Sequence, residues 1–356
     1  MKAVCRIGLD IAKYKFQVHG VDAQGHDVFN RQLNRKDVLT FFTNLPICLI
    51  GIEACGGAHY WGRELEKLGH TVKLIPTRTV KPFVLNNKTD AADARAICEV
   101  VCRATTKFVL IKNTEQQDLG AWHRIRERMV GNRTALVNQA RGLLHEMGIV
   151  MPQGIKWARN QLPVIIEDLE NMLSFSARDY LSELYSELVY LDEQIEKMEK
   201  RLHAAVKANS SCTRLMKIPG IGPLTASAIV AHVGDGKQFK NGRQFSASLG
   251  LTPREYSSGG KQKLLGITKH GNRYIRKLLI SGAHAVCRRW LVDFESPSYR
   301  KQWLQAVTSR RGKFKGIVAM ANKTARIAWA VLARGEEYHT EKGFPAVGGS
   351  IALATV

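Results

Sequence analysis

Paired cysteines and long apolar runs are both missing from this 356-residue sequence. None of the seven cysteines belongs to a CxxC pair, and several stand among apolar neighbours, as buried thiols do. This pattern argues against a disulfide framework or a zinc knuckle and favours a reducing cytoplasm. No apolar stretch reaches the ~18 residues that a membrane span needs, and the N-terminus begins directly with a strand-like run. We therefore expect a cytoplasmic protein that does not enter a membrane.

Acidic residues are scarce relative to basic ones. The chain has 53 Lys and Arg against 31 Asp and Glu, which gives a formal net charge of +22. The excess is greatest in residues 209–356, with 24 basic and 7 acidic side chains, whereas residues 165–207 have 5 basic and 10 acidic. A surplus of this size outside a tail favours a polyanionic partner, and nucleic acid is the usual one. A basic protein whose charges are merely solvated is the alternative.

The first part of the chain alternates strand-like and helix-like segments. Strands are predicted at 4–10, 16–22, about 27–32, 47–53 and 71–75, with helices after Gly56-Gly57 and at 90–103. This order predicts an α/β domain with a mixed central sheet over residues 1–110. We expect a helical linker at 111–208, a mostly α-helical domain at 209–342 and a tail at 343–356.

Residues 181–202 have the clearest periodicity in the sequence. Apolar side chains alternate by three and four positions, with Glu and Lys beside them, as in a heptad seam: Leu181, Leu184, Leu188, Leu191, Ile195, Met198 and Leu202. The seam suits either an intramolecular hairpin with a helix around 115–147 or a coiled coil between two chains. We favour self-association slightly, because a seam this regular suits a straight partner helix.

Four carboxylates stand where an α/β sheet gathers its functional groups. Asp10 ends the first strand and Glu53 the fourth, while Asp90 and Asp93 share one face at the start of a helix. Oxygen ligands suit hard cations such as Mg²⁺, and two such ions can clamp the attacking and leaving oxygens of a phosphodiester. Each acid alone is more often a turn or capping residue. The four in this order favour a metal site.

Two glycine-containing segments follow in the basic C-terminal part. The stretch from Leu215 to Ala226 has the form of a helix-hairpin-helix, in which Gly220 and Gly222 let backbone N–H groups approach a phosphate. The alternative is an ordinary turn packed in the core.

The second segment places Ser257-Ser258 before two glycines. Composition alone describes it as a flexible loop. However, serine can attack a phosphodiester, and nearby cations can stabilise the charge that develops on the phosphate. The cations around this segment are Arg254, Lys261, Lys269, Arg273 and Arg276.

These motifs together resemble a known family. The stretches from Gly8 to Lys13, from Ile52 to Ala54 and from Lys88 to Arg95 are similar to the N-terminal motifs of the DEDD transposases of bacterial insertion sequences (family one-ten, eleven-eleven-like branch). The Pro-Gly-Ile-Gly hairpin and the Tyr-x-Ser-Gly stretch resemble the C-terminal transposase domain of the same group. The resemblance runs from Arg6 to about residue 340.

The resemblance implies an RNase-H-like, RuvC-type domain in which Asp10, Glu53, Asp90 and Asp93 bind Mg²⁺ or Mn²⁺. It also implies that Ser258, with Ser257 as the adjacent competitor, forms a covalent phosphoserine link to DNA in a composite site that the carboxylate domain completes. Family members are described as guided by a structured RNA that pairs with donor and target DNA. The expected partners are therefore DNA, a guide RNA and, through the seam, other copies of the chain in a dimer or tetramer.

The alternative function is a metal-dependent nuclease or Holliday-junction-resolvase-like enzyme, in which the serine segment is structural. A covalent protein–DNA adduct distinguishes the two, since only a serine recombinase requires one. A non-catalytic nucleic-acid-binding protein with a decayed metal site is a third interpretation. The presence of all four acids argues against it, and metal-dependent strand cleavage would exclude it.

Overall fold

The computed structural model describes residues 4–84, 87, 89–291 and 298–339, so the predicted tail at 343–356 lies outside the described residues. The chain divides into two compact units, Met1–Thr114 and Glu115–Val356, which we call the N-terminal and C-terminal units. The finer division at residues 110 and 208 stays a prediction.

A five-stranded mixed sheet forms the centre of the N-terminal unit. Its strands are β1 (Arg6–Ile11), β2 (Lys15–Val21), β3 (Asp27–Asn34), β4 (Leu49–Glu53) and β5 (Thr71–Ile75), in the spatial order β3-β2-β1-β4-β5. The first three are antiparallel neighbours, whereas β4 runs parallel to both β1 and β5. The predicted α/β domain with a mixed central sheet is confirmed, with all five strands in place.

Four helices complete this unit: α1 (Val38–Thr43), α2 (Ala58–Lys67), α3 (Thr77–Val80) and α4 (Asp90–Val100), with 3₁₀ turns at Arg35–Asp37 and Lys81–Phe83. The central strands are apolar and buried, as Leu9 and Ile52 illustrate. Helix α4 packs very closely on β1, because a Cβ atom at Gly8 would lie 2.0 Å from the carbonyl oxygen of Ala94. Glycine at position 8 therefore allows the helix to lie directly on the strand.

The C-terminal unit begins with three helices, α5 (Thr114–Glu146), α6 (Ile155–Glu167) and α7 (Phe175–Ala208). The predicted heptad seam lies on α7, and all its members except Leu184 are buried. The N-terminal part of the seam packs in one apolar cluster with residues of α5 and α6, including Leu136, Leu144 and Leu162. Near its end, Leu202 packs with Leu119 of α5.

Two ion pairs fasten α7 to α5: Arg126 with Glu199, and Arg133 with Asp192. Helices of the same chain therefore cover the seam, and it forms an intramolecular hairpin. This corrects the preference for self-association through the seam, because its apolar stripe is already buried. A heptad pattern identifies an apolar face but does not say which chain supplies the partner.

The rest of the C-terminal unit is mostly helical, as expected. It contains α8 (Ser210–Met216), α9 (Pro223–Val233), α10 (Gly242–Ser248), a hairpin of β6 (Pro253–Glu255) and β7 (Leu264–Ile267), α11 (Arg273–Trp290), α12 (Tyr299–Arg311) and α13 (Lys313–Ala333). Its core gathers apolar side chains from all these helices, with Phe245, Leu279 and Met320 completely buried. Within the described part of the chain, no helix is long and apolar enough to cross a membrane.

Candidate functional site

Two of the predicted carboxylates lie side by side at the end of the sheet. Strands β1 and β4 are parallel neighbours, with Leu9 opposite Ile52. Asp10 and Glu53 are the next residues along each strand, so both stand at the carboxyl ends of adjacent strands. Both side chains are half-buried. The two acids therefore occupy the strand ends at which the sequence placed them, and their role as metal ligands stays a prediction.

The negative charge of this pair affects the pKa of the Cys55 thiol. Partial burial raises its pKa, and the charges of Glu53 and Asp10 raise it further. A thiolate beside two carboxylates is disfavoured by like-charge repulsion, whereas a cation there would be attracted. Cys55 is therefore held as a neutral thiol, and the field at this edge of the sheet suits a cation with oxygen ligands.

Helix α4 brings the other two carboxylates towards the same edge. It runs antiparallel to β1, since Cys98 Sγ lies 3.8 Å from the Arg6 carbonyl oxygen and Ala94 lies against Gly8. Four helix residues cover about 6 Å, close to the rise of two strand residues. The first turn of α4, which contains Asp90 and Asp93, is therefore level with the end of β1.

The start of α4 also has an ordinary capping role. Thr89 is its N-cap, and the Thr89 hydroxyl accepts a hydrogen bond from the Ala92 N–H at 3.2 Å. Acidic side chains in a first turn stabilise a helix through its dipole. Asp90 is exposed and Asp93 is half-buried. Capping thus explains why acids stand in this turn, but not why the turn lies level with the strand end that contains Asp10.

The four carboxylates do not form a closed ligand set in this structure. Among the residues it describes, no group of three or more His, Cys, Asp or Glu side chains is arranged to hold a metal ion. The Asp10–Glu53 pair fits a divalent cation by its donor chemistry and its field. Asp90 and Asp93 lie on the adjoining helix without completing that pair into a three-ligand group.

The serine segment is an ordered hairpin and not a flexible loop. Strands β6 and β7 pair antiparallel, and the Lys261 N–H donates to the Ser258 carbonyl at 3.1 Å. The two residues between them, Gly259 and Gly260, have φ angles of 56° and 75°. Positive φ at both central positions defines a type I′ turn, which glycine adopts without strain. Ser258 is thus the first residue of the turn at the tip of an exposed hairpin.

The two adjacent serines differ in their hydrogen bonds. The Ser257 hydroxyl donates to Glu255 Oε1 at 2.7 Å and accepts from the Lys263 N–H at 3.2 Å. The Ser258 hydroxyl makes no hydrogen bond to any residue that the structure describes. Ser257 is therefore used to hold the hairpin together, whereas Ser258 presents its hydroxyl to solvent.

Four of the five predicted cations around the hairpin are exposed: Arg254, Lys261, Lys269 and Arg273. The fifth, Arg276, is 8% exposed, and its Nη1 donates to the carbonyls of Leu249 at 2.8 Å and His270 at 3.1 Å. These bonds tie together the two segments on either side of the hairpin. Arg276 therefore supports the hairpin from inside and is not positioned to contact nucleic acid.

The predicted helix-hairpin-helix segment is a turn between α8 and α9. Gly220, at φ 90°, packs against α11, because a Cβ there would lie 3.1 Å from the Gly282 carbonyl oxygen. Gly222 is the N-cap of α9, and a Cβ there would meet nothing within 4 Å. Gly220 therefore serves packing, and Gly222 is the member of the pair at which a phosphate has access.

Comparison with known proteins identifies the family. A transposase family model of the DEDD, IS110 type matches residues 7–149, and a model of the IS116/IS110/IS902 transposase family matches residues 212–302. A probable family 20 transposase of Pseudomonas aeruginosa is 47% identical over 330 residues, which are 92% of this chain and 97% of that protein. The chain belongs to the IS116/IS110/IS902 family of transposases.

Two further relatives match the transposase along nearly its whole length. The transposase for insertion sequence element IS1111A of Coxiella burnetii is 43% identical and covers 95% of this chain and 92% of its own. The transposase for IS1328 of Yersinia enterocolitica is 37% identical, with 94% and 98% covered. The predicted transposase activity, DNA strand cleavage and transfer, is therefore confirmed at the level of the family.

One buried polar network in the transposase was not predicted from the sequence. His123 of α5 is 4% exposed, and its two ring nitrogens lie 3.0 Å from the Tyr274 hydroxyl and 2.9 Å from Ser227 Oγ. Burial lowers the pKa of His123 to about 4, and the charge of Arg126 contributes. The imidazole is therefore neutral at physiological pH and links α5 to α9 and α11. A single histidine among arginines gave no signal of this role.

Proposed function

We propose that the transposase is an RNA-guided DNA recombinase in which Ser258 forms a covalent phosphoserine with DNA and the four carboxylates hold a divalent cation. The observation that carries this proposal is the contrast between the two serines. Ser258 presents an unbonded hydroxyl at the tip of a type I′ turn, while the hydroxyl of Ser257 is held by Glu255 and Lys263. A nucleophile has to approach phosphorus, and the Ser258 hydroxyl can do so without first breaking hydrogen bonds within the hairpin.

The exposed cations near Ser258 suit attack of its hydroxyl on a phosphate. In the proposed step the Ser258 oxygen bonds to a backbone phosphorus, the hydroxyl proton is lost to solvent, and the P–O bond to a deoxyribose breaks. The released sugar oxygen takes up a proton. The exposed side chains of Arg254 and Lys261 would balance the charge that builds on the phosphate. Attack of a DNA hydroxyl on the phosphoserine reverses these steps and rejoins the strand.

The glycine turn gives this step room. A Cβ at Gly259 or Gly260 would meet nothing within 4 Å, so the tip of the hairpin is open on both sides. A phosphate can therefore reach the serine without displacing protein. Arg276 of α11 joins the two segments at the base of the hairpin through two hydrogen bonds, which would help to hold the nucleophile in position.

Asp10 and Glu53 are the residues that would hold a divalent cation, with Asp90 and Asp93 joining them from α4. When bound, Mg²⁺ or Mn²⁺ would neutralise phosphate charge and orient the scissile group. The contribution of the chain itself is the close packing of α4 on β1, which Gly8 permits. That packing sets the distance between the strand-end pair and the helical pair.

A guide RNA and a multimeric assembly belong to the same proposal. The basic surplus of residues 209–356 suits more than one nucleic acid strand. The serine of one subunit and the carboxylates of another would form one composite site. Mixing Ser258→Ala protein with Asp10→Ala protein tests this sharing. Each variant alone should be inactive. Activity in the mixture would support a shared site, and no activity in the mixture would contradict it.

The adduct assay tests the whole proposal. The protein, Mg²⁺ and the RNA that co-purifies are incubated with labelled DNA that contains the joined ends of the element, and the products are separated on a denaturing gel. We expect a protein-linked DNA band with the wild-type protein and with Ser257→Ala, and none with Ser258→Ala. Omitting the RNA should abolish the band. A band that survives Ser258→Ala would overturn the proposed nucleophile.

A metal-dependent nuclease is the second candidate, and the Asp10–Glu53 pair favours it. Such an enzyme would cleave the same DNA without any adduct. Its cleavage would be lost with Asp10→Ala and unaffected by Ser258→Ala. The two variants on one gel therefore decide between the candidates.

A further inference from the structure

A cavity of about 490 Å³ lies in the C-terminal unit between α10, α13 and the segment that follows α13. Four cationic side chains line it: Arg243 of α10, Lys323 and Arg326 of α13, and Arg334 just beyond α13. It is separate in sequence from the serine hairpin and from the carboxylates. No role proposed above uses these four side chains.

Close packing of two helices brings two of these cations together. A Cβ at Gly242 would lie 2.8 Å from the Arg326 carbonyl oxygen, so the backbones of α10 and α13 touch at this point. Arg243 follows Gly242 directly and therefore stands beside Arg326. Burial lowers the pKa of Arg326, and the charge of Arg243 lowers it further. The fold thus holds like charges near each other in a half-buried place.

Lys323 adds to the same field. Burial lowers its pKa to about 8, and the charges of Arg326 and Arg300 contribute. Such an arrangement is unfavourable for the protein alone, because burial and like-charge repulsion both disfavour the charged forms. An anion in the cavity would favour the charged forms by attraction and so offset both effects.

Two carboxylates line the cavity, and each has an ion pair with a cation other than Arg243 and Arg326: Glu336 lies 3.5 Å from Arg334, and Glu337 lies 2.6 Å from Lys217. Neither the side chain of Arg243 nor that of Arg326 has a hydrogen bond or ion pair with any residue in the described part of the chain. Two guanidinium groups, each with several donors in a planar fork, therefore remain for a ligand of opposite charge.

We propose that this cavity, the α10–α13 pocket, binds a backbone phosphodiester of nucleic acid through Arg243 and Arg326. A phosphate oxygen pair matches the fork of an arginine, and such charge-assisted bonds are the strong ones. The pocket lies on the same helix that supports the serine hairpin, since Asn322 Nδ2 of α13 donates to the Leu251 carbonyl at 3.0 Å. A nucleic acid strand bound in the pocket would therefore contact α13, the same helix that is hydrogen-bonded to the base of the serine hairpin.

The inference deepens the proposed function, because it assigns a place where the nucleic acid backbone is held. DNA and RNA share the phosphodiester, and separate arms of one experiment identify the source. Binding is measured in the Ser258→Ala protein, so that no covalent step intervenes. The probes are a fluorescein-labelled duplex with the joined ends of the element and, separately, the labelled RNA that co-purifies. Fluorescence anisotropy at several salt concentrations gives affinity and its salt dependence.

We expect Arg243→Gln/Arg326→Gln to weaken binding of at least one probe about tenfold at low salt. The slope of log K against log salt should become shallower by about 1, as for one lost phosphate contact. A change with the duplex alone assigns the pocket to DNA, and a change with the RNA alone assigns it to RNA. Arg243→Gln by itself, at an exposed position that cannot disturb the core, should show part of the same effect.

Lys197→Gln/Lys207→Gln is the matched control, since it removes the same charge from exposed positions on the acid-rich helix α7. If both arginine variants bind both probes like this control, with unchanged slope, the pocket is not a phosphodiester site. The result is independent of the nucleophile. If the wild-type protein forms no adduct, the proposed phosphoserine is wrong, but the phosphodiester site in the pocket is unaffected. If the adduct forms normally and the arginine variants bind as the control does, the pocket proposal is wrong and the phosphoserine is unaffected.

Discussion

The substitution Gly8→Ala should push α4 away from β1 and so displace two of the four carboxylates from the other two. The new Cβ would lie 2.0 Å from the Ala94 carbonyl oxygen and 2.5 Å from the Cys98 nitrogen. Carbon and oxygen normally stay about 3.3 Å apart or more, so α4 has to move away from β1 by more than about 1 Å. Overpacking of this kind costs about 1–3 kcal/mol of stability. Because Asp90 and Asp93 stand on α4, the same shift would misplace them relative to Asp10.

Two assays measure these effects separately. Urea unfolding followed by circular dichroism gives the loss of stability, and metal-dependent DNA cleavage at a temperature where the variant is folded gives the loss of activity. We expect about a hundredfold slower cleavage, the usual consequence of misplacing catalytic groups by about 1 Å. Gly56→Ala is the control, since a Cβ there meets nothing within 4 Å. If Gly8→Ala behaves like Gly56→Ala in both assays, the packing of α4 does not set the site.

Three further predictions concern the C-terminal unit. Burial lowers the pKa of His123 to about 4 in the folded protein, so below about pH 6.5 the unfolded state binds a proton that the folded state does not. The free energy of unfolding should therefore fall by up to about 3 kcal/mol between pH 6.5 and 4, as urea unfolding at each pH would measure. A His123→Gln variant whose urea midpoint falls just as much over this range would contradict the prediction. Gly131→Ala should raise stability by about 0.5–1 kcal/mol, because it lies exposed inside α5 with nothing near its Cβ, and an unchanged or lower melting temperature would refute it. Arg276→Leu should cost about 2 kcal/mol by leaving two loop carbonyls without a donor, with faster hydrogen exchange in the hairpin; unchanged exchange would refute its supporting role.

The sheet and its carboxylate pair could be predicted because their signals are local. Apolar runs of strand length located β1 and β4, and an acid at the end of each run placed Asp10 and Glu53 on adjacent strands. The close packing of α4 on β1 could not be predicted in the same way. It depends on a missing side chain at Gly8, and a glycine in a strand has several possible meanings.

The serine hairpin shows where local patterns fail. Its strands contain only three and four residues, too few for alternation to be recognised, and the Ser-Ser-Gly-Gly stretch has the composition of a loop. The difference between Ser257 and Ser258 depends on Glu255 and on the cross-strand Lys263. Such partners become neighbours only once the hairpin has formed. Likewise, the burial of Arg276 depends on carbonyls from both sides of the hairpin.

The most direct test of the account is to locate the covalent bond. The DNA adduct is trapped, digested with nuclease and trypsin, and the peptide from Glu255 to Lys261, which contains both serines, is fragmented in a mass spectrometer. The account predicts a nucleotide remnant on Ser258. A remnant on Ser257, or a peptide that is never modified while the DNA is cleaved, would contradict it.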